Sequence, residues 1–366
     1  MHPGRARDLS HAPINVYWEM TRACSLACRH CRASALPQPD PAELDTEQAF
    51  ALVDQVRRLG SMLILTGGDP LERPDLFEII AYARALHVPV AVTPATTPKL
   101  TEQLVAELKE AGVAALGLSL DGSTPERHDA FRAVAGTFEC AMRALEWAKG
   151  ARLPVQVNTT VSRQTLDDLP AVFDLLRTRA CPPVVRWSLF LVVPTGRASS
   201  SDLPSPHEVE EMFGWVYEAS DTAPFHISTV EAPHYRRYWM ERRLAEGGSV
   251  EELLTHGRRQ GFGVRDGHGV IFVSHLGNVY PAGFLPEPLL GNVKDTSLVE
   301  LYRSHPGLLA LRDESRLCGK CASCEYRRIC GGSRSRAFGV TGDVFAEEPT
   351  CSYIPKGTAA LDARPS

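Results

Sequence analysis

The sequence lacks the long apolar run that a membrane-spanning helix needs, since nowhere do about 18 apolar residues follow one another. Its basic N-terminal segment, residues 1–13, leads into no apolar stretch of the kind that a secretory signal carries. No run of lysine and arginine stands out, and 44 acidic residues outnumber the 39 basic ones. We therefore predict a cytoplasmic protein that has neither a membrane nor a nucleic acid as a partner.

The ten cysteines are distributed very unevenly along the 366 residues. Disulfides are typical of small secreted chains, whereas eight of these cysteines crowd into two short zones of a long chain without a secretion signal. Reduced thiolates that bind metal fit this distribution better. The other two, Cys140 and Cys181, are predicted to be inert packing residues.

Short apolar runs rich in β-branched residues alternate with segments of helical period from Ile14 to about Ser220. The runs lie at 14–21, 62–68, 88–95, 114–122, 154–161 and 184–193. Such continuous apolar character is typical of parallel strands that are buried on both faces. Six strand–helix units predict an α/β fold, a parallel barrel that stays open, with a doubly wound sheet as the alternative. Active sites of such barrels lie at the C-terminal ends of the strands.

The first group of thiols, Cys24, Cys28 and Cys31, has the spacing C-x₃-C-x₂-C and directly follows the first predicted strand. Three thiolates on one loop can bind three irons of a cubane and leave the fourth iron without a protein ligand. An open coordination position is where a metal site binds a reactant. A zinc site with His30 as its fourth ligand is the alternative.

This spacing, followed by LTGGDPL at 65–71, SLDG at 119–122 and VNTTV at 157–161, resembles the radical S-adenosylmethionine (SAM) superfamily. The resemblance implies a partial (β/α)₆ TIM-type barrel over residues 14–225 and a [4Fe–4S] cluster on the three cysteines. It also implies that the cluster binds SAM and cleaves it to a 5′-deoxyadenosyl radical, which abstracts hydrogen from a substrate. The SAM contacts that it implies are Gly67, Gly68, Asp69, Ser119, Asn158, Leu191 and His30. No catalytic residue is assigned beyond the cluster ligands.

Five further thiols lie in the tail, at Cys318, Cys321, Cys324, Cys330 and Cys351. The last four are enough for a complete four-thiolate cluster, and zinc is the alternative metal. The pattern C-x₂-C-x₅-C-G-G followed by a distant cysteine resembles the SPASM or twitch extension of radical SAM enzymes. It implies an auxiliary [4Fe–4S] cluster on Cys321, Cys324, Cys330 and Cys351, with Cys318 as an additional or alternate ligand.

The sequence departs from the full SPASM pattern, and these departures limit the number of auxiliary clusters and the activities that we expect. Ala282 and Arg334 stand where the full pattern has cysteines, so one auxiliary cluster is predicted rather than two. Gly283 stands where sulfatase-maturing enzymes have an acid, which argues against that activity.

The domain organisation follows from these motifs. We predict an N-terminal extension at 1–13, the barrel at 14–225, a helical connector at 226–265, a cysteine-rich α+β auxiliary-cluster domain at 266–353 and a flexible tail at 354–366. Within the connector, the Tyr, His and Arg residues of 234–241 either line a pocket or coat a helix, and the residue types favour the second.

The segments VYWEMTRACSLACRHCRA and CEYRRICGGSRSRAF are most similar to a branch of the superfamily that oxidises or decarboxylates tetrapyrrole side chains in alternative haem pathways. Ser333 replaces a cysteine that several members of this branch have. The resemblance implies an oxidoreductase that acts on a small molecule such as a tetrapyrrole precursor and takes electrons from an external flavodoxin or ferredoxin. Two alternatives stay open, a maturase of ribosomal peptides and a non-catalytic iron–sulfur electron carrier.

Overall fold

A single ten-stranded sheet organises the protein. The structure is a computed structural model that describes residues 8–259 and 263–356; at 256–259 it describes only the main chain. Three predicted segments therefore lie partly outside the described residues, namely 1–7 of the extension, 260–262 of the connector and 357–366 of the tail. The strands are β1 Asn15–Glu19, β2 Met62–Thr66, β3 Val90–Val92, β4 Ala115–Ser119, β5 Val155–Val161, β6 Val184–Leu191, β7 His226–Val230, β8 Val270–Val273, β9 Asn278–Tyr280 and β10 Gly291–Asn292.

Helices fill the connections between the strands and cover the outer face of the sheet. Those before β8 are α1 Thr46–Leu59, α2 Leu76–Ala85, α3 Glu102–Glu110, α4 Pro125–Arg132, α5 Thr137–Gly150, α6 Leu169–Leu175, α7 Pro206–Thr222, α8 Tyr235–Ala245 and α9 Val250–Arg259. Those after β10 are α10 Leu298–Ser304, α11 Pro306–Arg312, α12 Gly319–Ser323 and α13 Arg334–Thr341.

The strands from β1 to β7 lie side by side in chain order, and each pairs in parallel with the next. A doubly wound sheet would reverse its strand order at a switch point, so the observed order is that of a partial barrel. The predicted α/β fold class is confirmed.

Capping residues fix the ends of the helices. The Asp45 side chain accepts a hydrogen bond from the Gln48 N–H, and the Gln48 side chain accepts one from the Asp45 N–H, which completes the capping box of α1. Gly60 ends this helix with φ +62°. Thr101 caps α3 by accepting from the N–H of Leu104.

The segment predicted as a helical connector begins differently. Its first five residues form β7, which pairs in parallel with β6, and α8 and α9 follow. The run HISTV is short and only partly apolar, so its sequence gives a weaker strand signal than the six runs before it. Further along the chain, β8 and β9 pair as an antiparallel hairpin, and β8 also pairs in parallel with the free side of β1. The sheet therefore runs through all three predicted domains, whose boundaries stay a prediction.

The two faces of the sheet differ in polarity. Along β5, the residues from Val155 to Val161 alternate between buried side chains that pack under the helices and half-buried ones. Gln156, Asn158 and Thr160 are the half-buried residues, so they lie on the inner face of the barrel. The inner face thus carries polar side chains toward the C-terminal ends of the strands.

Among the described residues, no helix combines the length and the apolar character that crossing a membrane requires.

We expect Trp187→Ala to destabilise the protein strongly. The Trp187 side chain is fully buried under the helices, donates from Nε1 to Thr159 Oγ1 at 2.8 Å, and packs against Phe173 and Phe225. Its truncation should lower the free energy of unfolding by about 3–5 kcal/mol, measured by urea denaturation under anaerobic conditions. The neighbouring Val185 is 53% exposed, so Val185→Ala should change that free energy by no more than about 0.5 kcal/mol. Equal effects of the two substitutions would contradict the burial of Trp187.

Candidate functional site

The loop after β1 brings the first three predicted cysteine ligands together. Cys24 and Cys28 are buried in one small apolar cluster, and Cys31 packs against it. Each sulfur accepts a hydrogen bond, from the N–H of Leu26 at 3.4 Å, from Arg132 Nη1 at 3.7 Å and from the N–H of Ala35 at 3.4 Å, respectively. Burial, together with the neighbouring Asp69 and thiols, raises the pKa of Cys24 to about 11. The loop and Arg132 of α4 thus supply hydrogen-bond donors to the sulfurs, in a site where burial disfavours the charge of a thiolate.

The glycines after β2 hold this loop in place. The N–H of Gly68 donates to the Thr21 carbonyl and that of Asp69 to the Ala23 carbonyl, both at 2.8 Å. A Cβ on Gly68 would lie 2.3 Å from the Ala23 oxygen, and one on Gly67 would lie 2.5 Å from the Thr21 oxygen. The close approach that requires glycine here is therefore to the main chain of the cysteine loop. A contact of the same segment with SAM stays a prediction.

The Asp69 carboxylate is fully buried and only half satisfied. Its Oδ1 accepts from the N–H groups of Leu71 at 3.1 Å and Ala95 at 3.2 Å. Its Oδ2 has no partner among the described residues, and burial raises the pKa of this side chain to about 6. A buried orphan oxygen beside Cys24 is a site where a bound cationic group, such as an ammonium, restores the missing hydrogen bond. This environment fits the amino group of SAM.

The loop after β6 clamps the cysteine loop from the other side. Arg197 donates from Nη1 to the Cys28 carbonyl at 3.0 Å and from Nη2 to the Ala35 carbonyl at 2.6 Å. The preceding Gly196 has φ +63°, and a Cβ there would lie 2.3 Å from the Cys31 oxygen. The role of Arg197 was not predicted from the sequence, where the only signal is a Gly–Arg pair in the loop after β6.

The other residues predicted to contact SAM lie at the C-terminal side of the barrel. Ser119 and Asn158 are in register on neighbouring strands, and Asn158 Oδ1 accepts from Gln156 Nε2 at 2.8 Å. The Leu191 carbonyl at the end of β6 already accepts from Arg336 Nη2 at 3.1 Å. His30 stacks on Phe131 with the ring centroids 4.3 Å apart, which covers one face of the imidazole. SAM contacts at these positions stay predictions.

The four cysteines predicted to bind the auxiliary cluster line a single cavity in the C-terminal segment. They are Cys321, Cys324, Cys330 and Cys351. The N–H of Glu348 donates to Cys321 Sγ and the N–H of Gly332 donates to Cys330 Sγ, each at 3.4 Å. Cys318, the additional candidate, is exposed, points its thiol to the Arg316 carbonyl and is not among the residues that line the cavity.

A cluster and a single metal ion require different spacings of their ligands. In the described parts of the chain, no three His, Cys, Asp or Glu side chains converge closely enough to hold one metal ion. A structural zinc requires all its ligands within about 2.3 Å of one point, whereas a cubane presents its irons at separate corners and its thiolates surround a larger space. The four cysteines that line the auxiliary cavity are predicted to hold a cluster of this kind.

Two residues of the segment 234–241 also line the auxiliary cavity. They are His234 and Arg237. The expectation that these residues only cover the surface of a helix is therefore wrong for these two positions. Burial lowers the pKa of His234 to about 4 and keeps its imidazole neutral at pH 7. Arg237 forms ion pairs with Glu210 at 2.6 Å and Glu241 at 2.9 Å. Their burial depends on the fold of the distant tail, which no local sequence signal reveals.

Ser333 and Arg334 stand where related radical SAM enzymes have cysteines, and each forms structural contacts here. Ser333 Oγ accepts from the N–H of Arg336 at the start of α13 and donates to Glu231 Oε2. Arg334 is buried and donates to the carbonyls of Val344 and Ala346. These contacts support a single auxiliary cluster.

A buried ion pair joins the barrel to the auxiliary segment. Arg336 is fully buried and donates to the carbonyls of Leu191 and Val192, both at 3.1 Å, and to Glu348 Oε1 at 2.9 Å. Burial alone would raise the pKa of Glu348, but the charge of Arg336 lowers it to about 2. Because the Glu348 N–H bonds to Cys321 Sγ, one pair of side chains connects the end of β6 to the auxiliary thiols.

We expect Gly68→Ala to remove the first cluster and spare the second. The added Cβ collides with the Ala23 carbonyl and displaces the cysteine loop, while the auxiliary cavity lies in another segment. Iron and sulfide of the anaerobically reconstituted protein should fall to the content of one cluster. Gly150→Ala is the control, because nothing lies within 4 Å of the added Cβ there. Retention of both clusters in Gly68→Ala would contradict this role of the glycine.

We expect Arg336→Met to lower the free energy of unfolding by about 3–5 kcal/mol at pH 7, because it leaves the Glu348 carboxylate buried without its partner. The double substitution Arg336→Met with Glu348→Met should recover part of the loss. The folded pKa of Glu348, about 2, lies below its ordinary 4.5, so the pair stabilises above pH 4.5 and loses its effect as the pH falls toward 2. Denaturation of all variants across this range is the measurement, and a pH-independent loss would contradict the assignment.

Comparison with known proteins identifies the family of this chain. The family model described as the radical SAM superfamily matches residues 18–176. An AdoMet-dependent heme synthase of Oleidesulfovibrio alaskensis is 39% identical over 99% of this chain and 93% of the relative. Another enzyme of the same name from Methanosarcina barkeri is 37% identical over 95% of this chain and 98% of its own length.

The fold also matches a solved structure, that of Streptococcus suis SuiB bound to S-adenosylmethionine. The TM-score is 0.73 at 15% identity, over 94% of this chain and 78% of SuiB. Because relatives above 30% identity align along nearly the whole length, the sequence resemblance is confirmed. The chain belongs to the radical SAM superfamily, on the branch that contains the haem synthases, and is an enzyme that uses SAM, a [4Fe–4S] cluster and an auxiliary cluster.

Proposed function

We propose that the protein is a radical SAM oxidoreductase that oxidises a side chain of a tetrapyrrole precursor. Cys24, Cys28 and Cys31 would hold the SAM-binding cluster. The auxiliary cluster would be held by Cys321, Cys324, Cys330 and Cys351. The observation that carries the proposal is the second, four-thiol cavity tied to the barrel by Arg336, in a chain aligned end to end with enzymes named as haem synthases.

When bound, SAM and the two clusters supply a 5′-deoxyadenosyl radical and an acceptor for one electron. The residues of the chain position these groups. Arg197 and Gly68 fix the cysteine loop, and the orphan oxygen of Asp69 is the acceptor proposed for the ammonium of SAM. Ser119 and Asn158, in register on the inner face, are proposed to face the rest of the nucleotide.

The auxiliary site is suited to electron transfer because its thiols saturate it. Four cysteines leave no open coordination position on a cubane, so substrate binding at that cluster is disfavoured. A propionate side chain, –CH₂–CH₂–COO⁻, that loses one hydrogen atom next to the ring and one electron becomes a vinyl group and CO₂. After each hydrogen atom is abstracted, the substrate radical therefore has one electron still to lose, and the auxiliary cluster is proposed to accept it. We propose that a flavodoxin or ferredoxin supplies the electron that cleaves SAM.

The test is anaerobic turnover of the reconstituted protein with SAM, dithionite and iron coproporphyrin, whose ring carries propionates. We expect methionine, 5′-deoxyadenosine and a product that has lost CO₂, detected by mass spectrometry. Deuterium next to the ring should appear in 5′-deoxyadenosine. Cys28→Ala should abolish SAM cleavage, whereas Cys324→Ala should retain cleavage but lose product. Cys181→Ala is the matched control, since this thiol lies in neither group, and should retain both.

Two outcomes would contradict the proposal. If both clusters are loaded and neither methionine nor 5′-deoxyadenosine forms, the protein is an electron carrier. If SAM is cleaved, the tetrapyrrole is unchanged and a precursor peptide is modified instead, the enzyme is a peptide maturase.

A further inference from the structure

One arginine faces the interior of the barrel from β6. Arg186 is in register with Gln156 of β5 and His226 of β7. Its neighbour Trp187 is fully buried under the helices, and successive side chains of a strand point to opposite faces. Arg186 therefore lies on the inner face, one layer below the row formed by Asn158, Ser188 and Ser228.

The electrostatic environment of Tyr17 agrees with this placement of Arg186. Tyr17 lies on β1, which pairs with β2 and β8 and not with β6. Burial raises the pKa of Tyr17, and the charge of Arg186 opposes that rise. An interaction between side chains of two strands that are not neighbours has to cross the interior. The phenol and the guanidinium therefore face the same space.

Arg186 has no anionic partner of its own. Within residues 8–259 and 263–356 no ion pair or hydrogen bond of its side chain is found, and the residue is exposed. The acidic groups nearer the cysteine loop are already paired, Glu19 with Arg32 at 2.6 Å and Asp121 with Arg132 at 2.5 Å. The interior therefore carries an unpaired positive charge.

We infer that Arg186 binds a carboxylate of the substrate, remote from the carbon that reacts. This inference rests on the proposed function and adds a binding subsite to it. The planar guanidinium matches a carboxylate with two parallel hydrogen bonds. Arg186 lies five residues before Leu191 at the end of β6, about 16 Å along the strand at about 3.3 Å per residue. This separation suits a wide ligand that carries several acidic side chains, such as a tetrapyrrole, better than a small acid.

The experiment is a binding titration followed by turnover, with iron coproporphyrin and with its neutral carboxamide analogue. Arg186→Gln should weaken binding of the acid by about tenfold or more, since a charge-assisted hydrogen bond is lost, and should leave binding of the carboxamide unchanged. Arg186→Lys should recover part of the affinity. Arg179→Gln is the matched control, because Arg179 is an exposed arginine on the outer helical layer at Leu176–Ala180. Cluster content and SAM cleavage without substrate should match the wild type in every variant.

Each outcome decides between the two proposals. A selective loss for the acid in Arg186→Gln supports the subsite. If the wild type binds and converts the tetrapyrrole but Arg186→Gln does so equally well, the subsite is wrong and the proposed function stands. An equal loss for acid and carboxamide also overturns it, because charge recognition would then not be involved. If the wild type binds neither ligand, the proposed function fails and the subsite fails with it.

Discussion

The buried ion pair of Arg336 and Glu348 is the interaction on which the arrangement of both thiol groups depends. Arg336 holds two carbonyls at the end of β6, while the main chain of Glu348 donates to an auxiliary sulfur. A buried charge is costly unless it is paired and fully hydrogen-bonded, so the two segments cannot separate without exposing both charges. The pair therefore fixes the auxiliary cavity relative to the open end of the barrel.

The cysteine loop is held by main-chain contacts from two strands that are far apart in the sequence. Gly68 and Asp69 bind it from the end of β2, and Arg197 binds it from the loop after β6. The apolar cluster around Cys24 and Cys28 is small, so hydrogen bonds and close glycine contacts add to it in fixing the loop. This explains why a glycine at position 68 and an arginine at position 197 are needed although neither residue binds the cluster.

Much of the fold could be predicted because its signals are local. The capping box at Asp45, the left-handed end at Gly60 and the six apolar runs each involve residues within one helix or strand. The strand β7 could not be predicted, because its sequence HISTV is short and it is stabilised by pairing with β6. Likewise, both thiol groups are visible as spacings in the sequence, whereas Arg197, Arg336 and His234 acquire their roles through residues far away in the chain, such as Cys28, Leu191 and Cys330. Side chains of this kind look like ordinary surface residues in the sequence.

The pairing of β8 with β1 decides where the barrel is open. In the described sheet, β1 has a neighbour on each side, and the two strands without an outer neighbour are β7 and β10. The gap in the wall of the barrel is therefore bordered by residues of the last 140 positions rather than by the six repeated units. Two enzymes could share the same radical-forming core and still admit differently shaped molecules, because the entrance is built from a part of the chain that can vary independently.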